Sequence, residues 1–129
     1  MKPIEPPGWA RPKGYAHAIA ASGTTLFVSG QIGREEGGAF AGDLPSQVRL
    51  ALRNVAAILA AAGARPEHVV RLTWYVLDKR DYLASAKPIG AAYREVMGKH
   101  FPAMSVVEVA GLVEDRALVE IEATAVLPG

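Results

Sequence analysis

Two carboxylates near the end of the chain have the spacing of a shared strand face. The segment "VEIEATAV", residues 119–126, places Glu120 and Glu122 two positions apart, so in a strand both point to one side while Ile121 points to the other. A carboxylate in a partly dry cleft can orient or deprotonate a water molecule. The alternative is that both are rim residues, solvated or paired with arginine, which is the commoner role of charges on a strand.

Two further segments carry groups that could hold a ligand. The stretch "VSGQIG" places Ser29 beside Gly30 at a strand end, where backbone N–H groups can be presented to a small anion; an ordinary strand exit is the alternative. Tyr15, in "KGYAHA", offers a phenol near a strand start, although a tyrosine there more often packs. The three histidines have no metal-ligand spacing, and we predict no metal site.

Met104 stands at an unusual position in "HFPAMSVVEVAG", residues 100–111. A neutral thioether lies where a strand leaves a proline turn, which is a common place for a working polar residue. Methionine donates no hydrogen bond and offers a flexible apolar wall instead. What such a wall would serve depends on the elements around it.

Composition limits the functions that these residues could serve. The chain has 129 residues, half of them hydrophobic and 21% charged, which predicts one compact domain over residues 1–129. It has no cysteine, and its net charge of +1 argues against nucleic acid as a partner. The N-terminal segment lacks the apolar core of a signal peptide, and "VAAILAAAGA" is too short to span a bilayer. We therefore expect a cytoplasmic protein without membrane association.

The first half of the chain predicts an arm, a hairpin and a helix. Residues 1–13 hold four prolines and predict an extended arm. The segment "YAHAIAASGTTLFVSGQI" predicts a β-hairpin that turns at Ser22 and Gly23. The segment "LPSQVRLALRNVAAILAAAG" has apolar residues at helical spacing, with Asp43 as its cap and Gly63 as its stop.

The second half predicts strand, helix, strand and strand. "HVVRLTWYVLD" is a strand pattern, and "YLASAKPIGAAYREVMG" is a helix that Pro88 should divide into a short first turn and a main part. With the strands "AMSVVEVA" and "LVEIEATAV", the order ββ-α-β-α-ββ predicts an α+β fold with two helices on one face of a mixed sheet. Apolar residues on both sides of "VVRLTWYVLD" and "SVVEVA" predict a second cover, which we expect to be another copy of the chain.

Five segments, in order over about residues 14–127, resemble the Rid family of YjgF-type reactive-intermediate deaminases. They are "VSGQIG", "QVRLALRNVAAILAAAGA", "HVVRLTWYVLDKRDY", "HFPAMSVVEVA" and "VEIEATAV". The resemblance implies a chorismate-mutase-like α+β fold and a homotrimer whose sheets line a central barrel, with ligand clefts between subunits. It also implies cofactor-free hydrolysis of enamines and imines to keto acids and ammonia. Glu120 matches the water-orienting carboxylate, and Tyr15, Ser29 and Gly30 match ligand-binding positions.

The chain departs from the family pattern at two positions. Deaminating members have an arginine, which grips the substrate carboxylate, where this chain has Met104. They often have an asparagine where this chain has Gly90, three residues before Tyr93. The resemblance therefore implies a ligand other than the small 2-imino acids of the classical members. Arg71 or Arg116 could supply a replacement charge, and the sequence leaves this open.

The resemblance leaves three functions to be separated. The first is an imine or enamine deaminase with an altered substrate, in which Glu120 activates water. The second is a trimer that binds a small ligand without catalysis or has a regulatory role. The third, a ribonuclease or translation inhibitor, is the least favoured because the net charge is only +1.

Overall fold

The computed structural model describes residues 1–128, and in this range the chain forms six strands and three α-helices. A single 3₁₀ turn, Pro66–His68, precedes the fourth strand. In chain order the elements are β1 (Lys2–Ile4), β2 (Ala18–Ala20), β3 (Thr24–Ile32), α1 (Leu44–Ala61), β4 (Val69–Val76), α2 (Lys79–Ala84), α3 (Ala86–Met97), β5 (Ala103–Glu108) and β6 (Val119–Leu127).

A four-stranded mixed sheet forms the centre of the fold. Its strand order is β3-β6-β4-β5, with β6 antiparallel to both of its neighbours and β5 parallel to β4. Helix α1 packs against β3, β6 and α3, so that the two longer helices cover one face of the sheet. The predicted α+β class, with two helices on a mixed sheet, is confirmed.

Helix α1 shows how directly an apolar pattern specifies packing. The Asp43 side chain accepts a hydrogen bond from the Ser46 N–H at 3.0 Å, which caps the first turn. After the helix, Gly63 adopts a φ of 78°, a left-handed conformation that glycine accepts without strain. The residues at the predicted apolar spacing are fully buried: Val48, Leu52, Val55 and Leu59.

The predicted division of the second helix is also confirmed. Helix α2 ends at Ala84 and α3 begins at Ala86, so that Pro88 is the third residue of α3. The first N–H groups of a helix have no intrahelical acceptor, so the missing N–H of proline breaks no hydrogen bond there. The part before the break is a six-residue helix rather than a single turn.

The predicted hairpin is wrong in its pairing. Strand β2 pairs with β1 of the N-terminal arm in a separate two-stranded sheet, whereas β3 pairs with β6. Gly23 has a φ of 139°, and a Cβ there would collide with the carbonyl of Leu127, so this glycine lets the chain pass the end of β6. The three-residue β2 has no buried residue, while the nine-residue β3 finds a partner of equal length in β6. Strand length and burial outweigh closeness in sequence here.

The expectation that β4 is apolar on both faces is wrong as well. Leu72 and Trp74 are buried on the helix side, but the other side of β4 carries polar groups on Arg71, Thr73 and Tyr75. A register shift at the start of β4 interrupts the alternation, so the run of valines did not mark a second apolar face. We call the sheet side without helices the open face.

In β5 the same expectation holds in part. Val106 pairs with Trp74 and faces the helices, whereas Val107 pairs with Tyr75 and lies on the open face, where it is 42% exposed. At the opposite edge of the sheet, Phe27 of β3 is 83% exposed on the open face. The open face is therefore polar along its centre and carries exposed apolar side chains on both edge strands.

Candidate functional site

A bulge in β3 places Gly30 against the carboxylate of Glu120. The register of β3 on β6 shifts between Val28 and Gln31, and Glu120 pairs with Ile32 just beyond this irregular stretch. A Cβ at position 30 would collide with the Glu120 side chain, so glycine is required for the carboxylate to lie there. Within residues 1–128 the Glu120 carboxylate takes part in no hydrogen bond or salt bridge. Its oxygens therefore have free acceptor capacity at a half-exposed position.

Glu122, two residues further along β6, is engaged differently. The hydroxyl of Tyr75 donates to Glu122 Oε1 at 2.6 Å. This hydrogen bond raises the pKa of the Tyr75 phenol above its ordinary value. Ser29, Arg71 and Glu122 line a depression of about 340 Å³ on the open face. The two predicted carboxylates thus share a face, but Glu122 is partnered by Tyr75 and Glu120 is not.

On the helix side of the sheet, a second concavity of about 320 Å³ lies between α2, α3 and the β4–β5 edge. We call it the Met104 cavity. The stacked rings of Tyr93 and Phe101, 5.5 Å apart, form part of its wall, and burial raises the pKa of Tyr93. Its lining also includes Trp74, Tyr82, Gly90, Arg94 and Met104.

The structure brings Gly90 and Met104 into this one cavity. Met104 pairs with Leu72 in the parallel β4–β5 ladder, so it points to the helix side as Leu72 does. Gly90 contributes to the wall from α3. The Arg94 guanidinium lies across Gly90, where a Cβ would stand 3.3 Å from Nη1. Arg94 is not among the residues predicted from the sequence, although its spacing of one helical turn from Gly90 was a usable signal.

Tyr15 lies near the Met104 cavity, beside the start of β5. The neighbouring Ala16 donates its N–H to the carbonyl of Pro102 at 3.0 Å, which fixes this segment there. Gly14 contributes to the cavity wall. The Tyr15 ring packs edge-on against His17, with 5.5 Å between centroids, and is 41% exposed.

Five of the predicted site residues form two groups on opposite faces of the sheet. The open-face group is Ser29, Gly30 and Glu120, and the cavity group is Gly90 and Met104. Tyr15 lies beside the cavity group, next to the start of β5. The sheet separates the two groups, since β4 runs between β6 and β5, so a single chain does not join them.

Neither arginine considered as a replacement charge lines the Met104 cavity. Arg71 lies on the open face beside Glu122. Arg116 lines a different depression, together with Arg34 and Asp115. The guanidinium that does border the cavity belongs to Arg94.

The described part of the chain offers neither a metal-binding cluster nor a membrane-spanning helix. Among residues 1–128, no three histidine, aspartate or glutamate side chains are grouped so that they could hold a metal ion. In the same range, none of the helices has both the length and the apolar composition of a membrane span.

Comparison with known proteins identifies the family. The family model described as Endoribonuclease L-PSP matches residues 9–127. A RutC family protein of Pyrococcus horikoshii is 40% identical over 126 residues, 96% of this chain and 89% of that protein. The 2-iminobutanoate/2-iminopropanoate deaminase of Salmonella typhimurium is 40% identical over 108 residues, 81% of this chain and 80% of that protein.

A solved structure agrees with this assignment. A Rid-family protein of unknown function from Yersinia pestis superposes with a TM-score of 0.82 at 35% identity, over 98% of each chain. The match extends through the helices and the whole sheet, since it leaves out so little of either chain. The chain therefore belongs to the YjgF/Rid family, whose model carries the description Endoribonuclease L-PSP.

Proposed function

We propose that the chain forms a homotrimer with three clefts between subunits, and that each cleft binds a small metabolite. The observation that supports this is the division of the candidate site residues between opposite faces of one sheet. Contact between the open face of one copy and the Met104 side of the next would join the two groups. An interface between two different surfaces repeats around a closed ring, which is compatible with threefold symmetry.

Within such a cleft, Glu120 has the chemistry of a general base. Its carboxylate takes a proton from water as the water oxygen bonds to the carbon of a C=N group, and it passes this proton to the nitrogen, which gives a carbinolamine. The carboxylate then carries the hydroxyl proton to the same nitrogen, so that the C–N bond breaks, ammonia leaves and a carbonyl product forms. Ser29 and the backbone beside Gly30 hold a polar group of the substrate. Imine hydrolysis is an intrinsically easy reaction, so positioning and one base are sufficient.

The substrate differs from that of the Salmonella relative, whose name identifies 2-imino acids as its substrates. Met104 and Gly90 provide no charged or amide side chain where the resemblance implies an arginine and an asparagine. The Met104 cavity favours a ligand with an apolar part.

We further propose that the protein acts in the cytoplasm, as a single domain that includes the N-terminal arm.

The test compares two carboxylates that lie two residues apart. Glu120→Gln should lower imine hydrolysis by about 10²- to 10⁴-fold, the usual contribution of a general base. Glu122→Gln is the matched control and should retain most activity, because its carboxylate is partnered by Tyr75. Ammonia release from enzymatically generated imines, above spontaneous hydrolysis, is the measurement. Equal losses in both variants, or none in either, would contradict the role of Glu120.

A second candidate is a trimer that binds its ligand without turnover. Met104 and Gly90 favour it, because both replace groups that deaminating members use. This function predicts saturable binding of a small molecule with no ammonia release from any imine. A ribonuclease, the activity in the family model's description, ranks third because the net charge is +1. RNA degradation by metal-free protein that is lost in Glu120→Gln would reverse this order.

A further inference from the structure

Arg94 places a positive charge at the edge of the Met104 cavity, where the side chain of Met104 carries none. It follows Gly90 by one helical turn on α3, and its guanidinium lies over the space that a side chain at position 90 would enter. The distance from Nη1 to an ideal Cβ at position 90 is 3.3 Å, so even an alanine would press on it. The absence of a side chain at position 90 therefore leaves the space that the Arg94 guanidinium occupies.

This guanidinium is available to a ligand. Within residues 1–128 Arg94 has no acidic partner, although Glu95 follows it directly. The Glu95 carboxylate is held instead by two arginines of α1, Arg49 at 3.1 Å and Arg53 at 2.7 Å. A guanidinium has N–H donors in a planar fork that matches a carboxylate. Arg94 thus carries an unneutralised positive charge at the edge of a largely apolar cavity.

We propose that Arg94 is the anion-binding residue of the Met104 cavity, and that the ligand is a carboxylate that carries an apolar group of about the size of an aromatic ring. The proposal rests on the function above, in which this cavity is one side of the intersubunit cleft. The carboxylate pairs with Arg94, and the apolar group lies against Met104 and Trp74. The volume of about 320 Å³ is at the lower end of the range of small-molecule sites.

The position of the charge explains why the ligand should be larger than the smallest 2-imino acids. An arginine at position 104 would project from β5, whereas Arg94 projects from α3. A carboxylate held at α3 leaves the space beside Met104 to the rest of the ligand. The cavity then selects for an apolar group that the smallest imino acids do not have.

The experiment uses isothermal titration calorimetry with a matched pair of probes. They are 3-phenylpropanoate and its neutral amide, 3-phenylpropanamide, which differ in charge but hardly in shape. The wild-type protein should bind the acid more tightly than the amide by about tenfold or more, the effect of one charge-assisted pair. Arg94→Gln should remove this preference, and Arg94→Lys should keep part of it. Arg116→Gln removes an arginine that lines a different depression and should behave as wild type.

Each outcome of the titration either supports or overturns the assignment of Arg94 as the anion-binding residue. An acid preference that survives in Arg94→Gln, or a wild type that binds both probes equally or neither, overturns the assignment of Arg94. Binding needs no turnover, so this failure can be told from failure of the proposed catalysis. Arg94-dependent binding of the acid together with inactivity on every imine would retain the anion site and reject the deaminase. Arg94 is exposed, so its variants should fold normally, and thermal unfolding checks this.

Discussion

The two faces of the central sheet carry different chemical groups, although both belong to the same few strands. The helix side offers an apolar concavity edged by the guanidinium of Arg94, which has no acidic partner among residues 1–128. The open face offers two carboxylates, the phenol of Tyr75 and an exposed Phe27. In the functions proposed above, the first surface holds an anion with an apolar group, and the second moves protons. In the proposed trimer, each face supplies half of a chemical site.

The proposed role of Arg94 connects Gly90 and Met104, the two positions at which the resemblance implies a departure from the family pattern. A cation placed at Arg94 needs room over position 90, and Gly90 provides it. Once that cation is present, a second one at position 104 would repel it across the same cavity. In this proposal, Gly90, Arg94 and Met104 belong to one site.

The strongest effect that we predict is on assembly through the open face. Phe27→Asp should convert the trimer into monomers at micromolar concentration, because an unpaired aspartate is costly to bury in an interface. Phe27 is 83% exposed on the open face, where the proposal requires a second copy of the chain. Sedimentation equilibrium measures the result.

The matched control for assembly is Val113→Asp. It changes another apolar side chain, 99% exposed in the loop between β5 and β6, and should leave the trimer intact. A Phe27→Asp protein that stays trimeric would show that the open face is not the contact surface. A wild-type protein that sediments as a monomer would remove the intersubunit cleft altogether.

A smaller effect concerns the chemical character of the Met104 cavity. Wild-type protein should show weak or no activity on 2-aminoacrylate-type substrates, and Met104→Arg should gain about ten- to a hundredfold, because one charge-assisted pair contributes about 1.5–3 kcal/mol. The gain should be incomplete because Gly90 supplies no amide and Arg94 adds a like charge. Ammonia or keto-acid release is the measurement, with trimer formation checked in the variant. High wild-type activity on these small imino acids would contradict this account of Met104.

The weakest of the predicted effects separates stability from binding at Gly90. Gly90→Ala should raise the free energy of unfolding by about 0.5–1 kcal/mol, because glycine is unfavourable inside a helix. The same change should weaken binding of 3-phenylpropanoate severalfold, since the new Cβ would stand only 3.3 Å from the Arg94 guanidinium. Denaturant unfolding and calorimetry measure the two effects. A stabilised variant with unchanged affinity would mean that Arg94 need not lie over position 90.

Local patterns predicted most of the elements, and they failed where pairing was long-range. Helix α1 followed from its apolar spacing, with Asp43 and Gly63 at its ends, because capping and amphipathicity are properties of a short segment. The partner of β3 did not follow, because β6 lies at the far end of the chain and the competing hairpin with β2 is close in sequence. Only the burial available in the assembled sheet decides between them.

The candidate site, like the fold, could be predicted from the sequence only in part. The sequence was sufficient to predict that Glu120 and Glu122 share a face, because side chains alternate along any strand. The resemblance also implies that Met104 and Gly90 stand where deaminating members carry an arginine and an asparagine, which stays a prediction. The tertiary structure was needed to show that Glu122 accepts a hydrogen bond from Tyr75, while Glu120 lies against Gly30. It was also needed to show that Arg94 borders the Met104 cavity. These contacts join residues from separate elements, and their geometry is fixed only when helices and strands pack together.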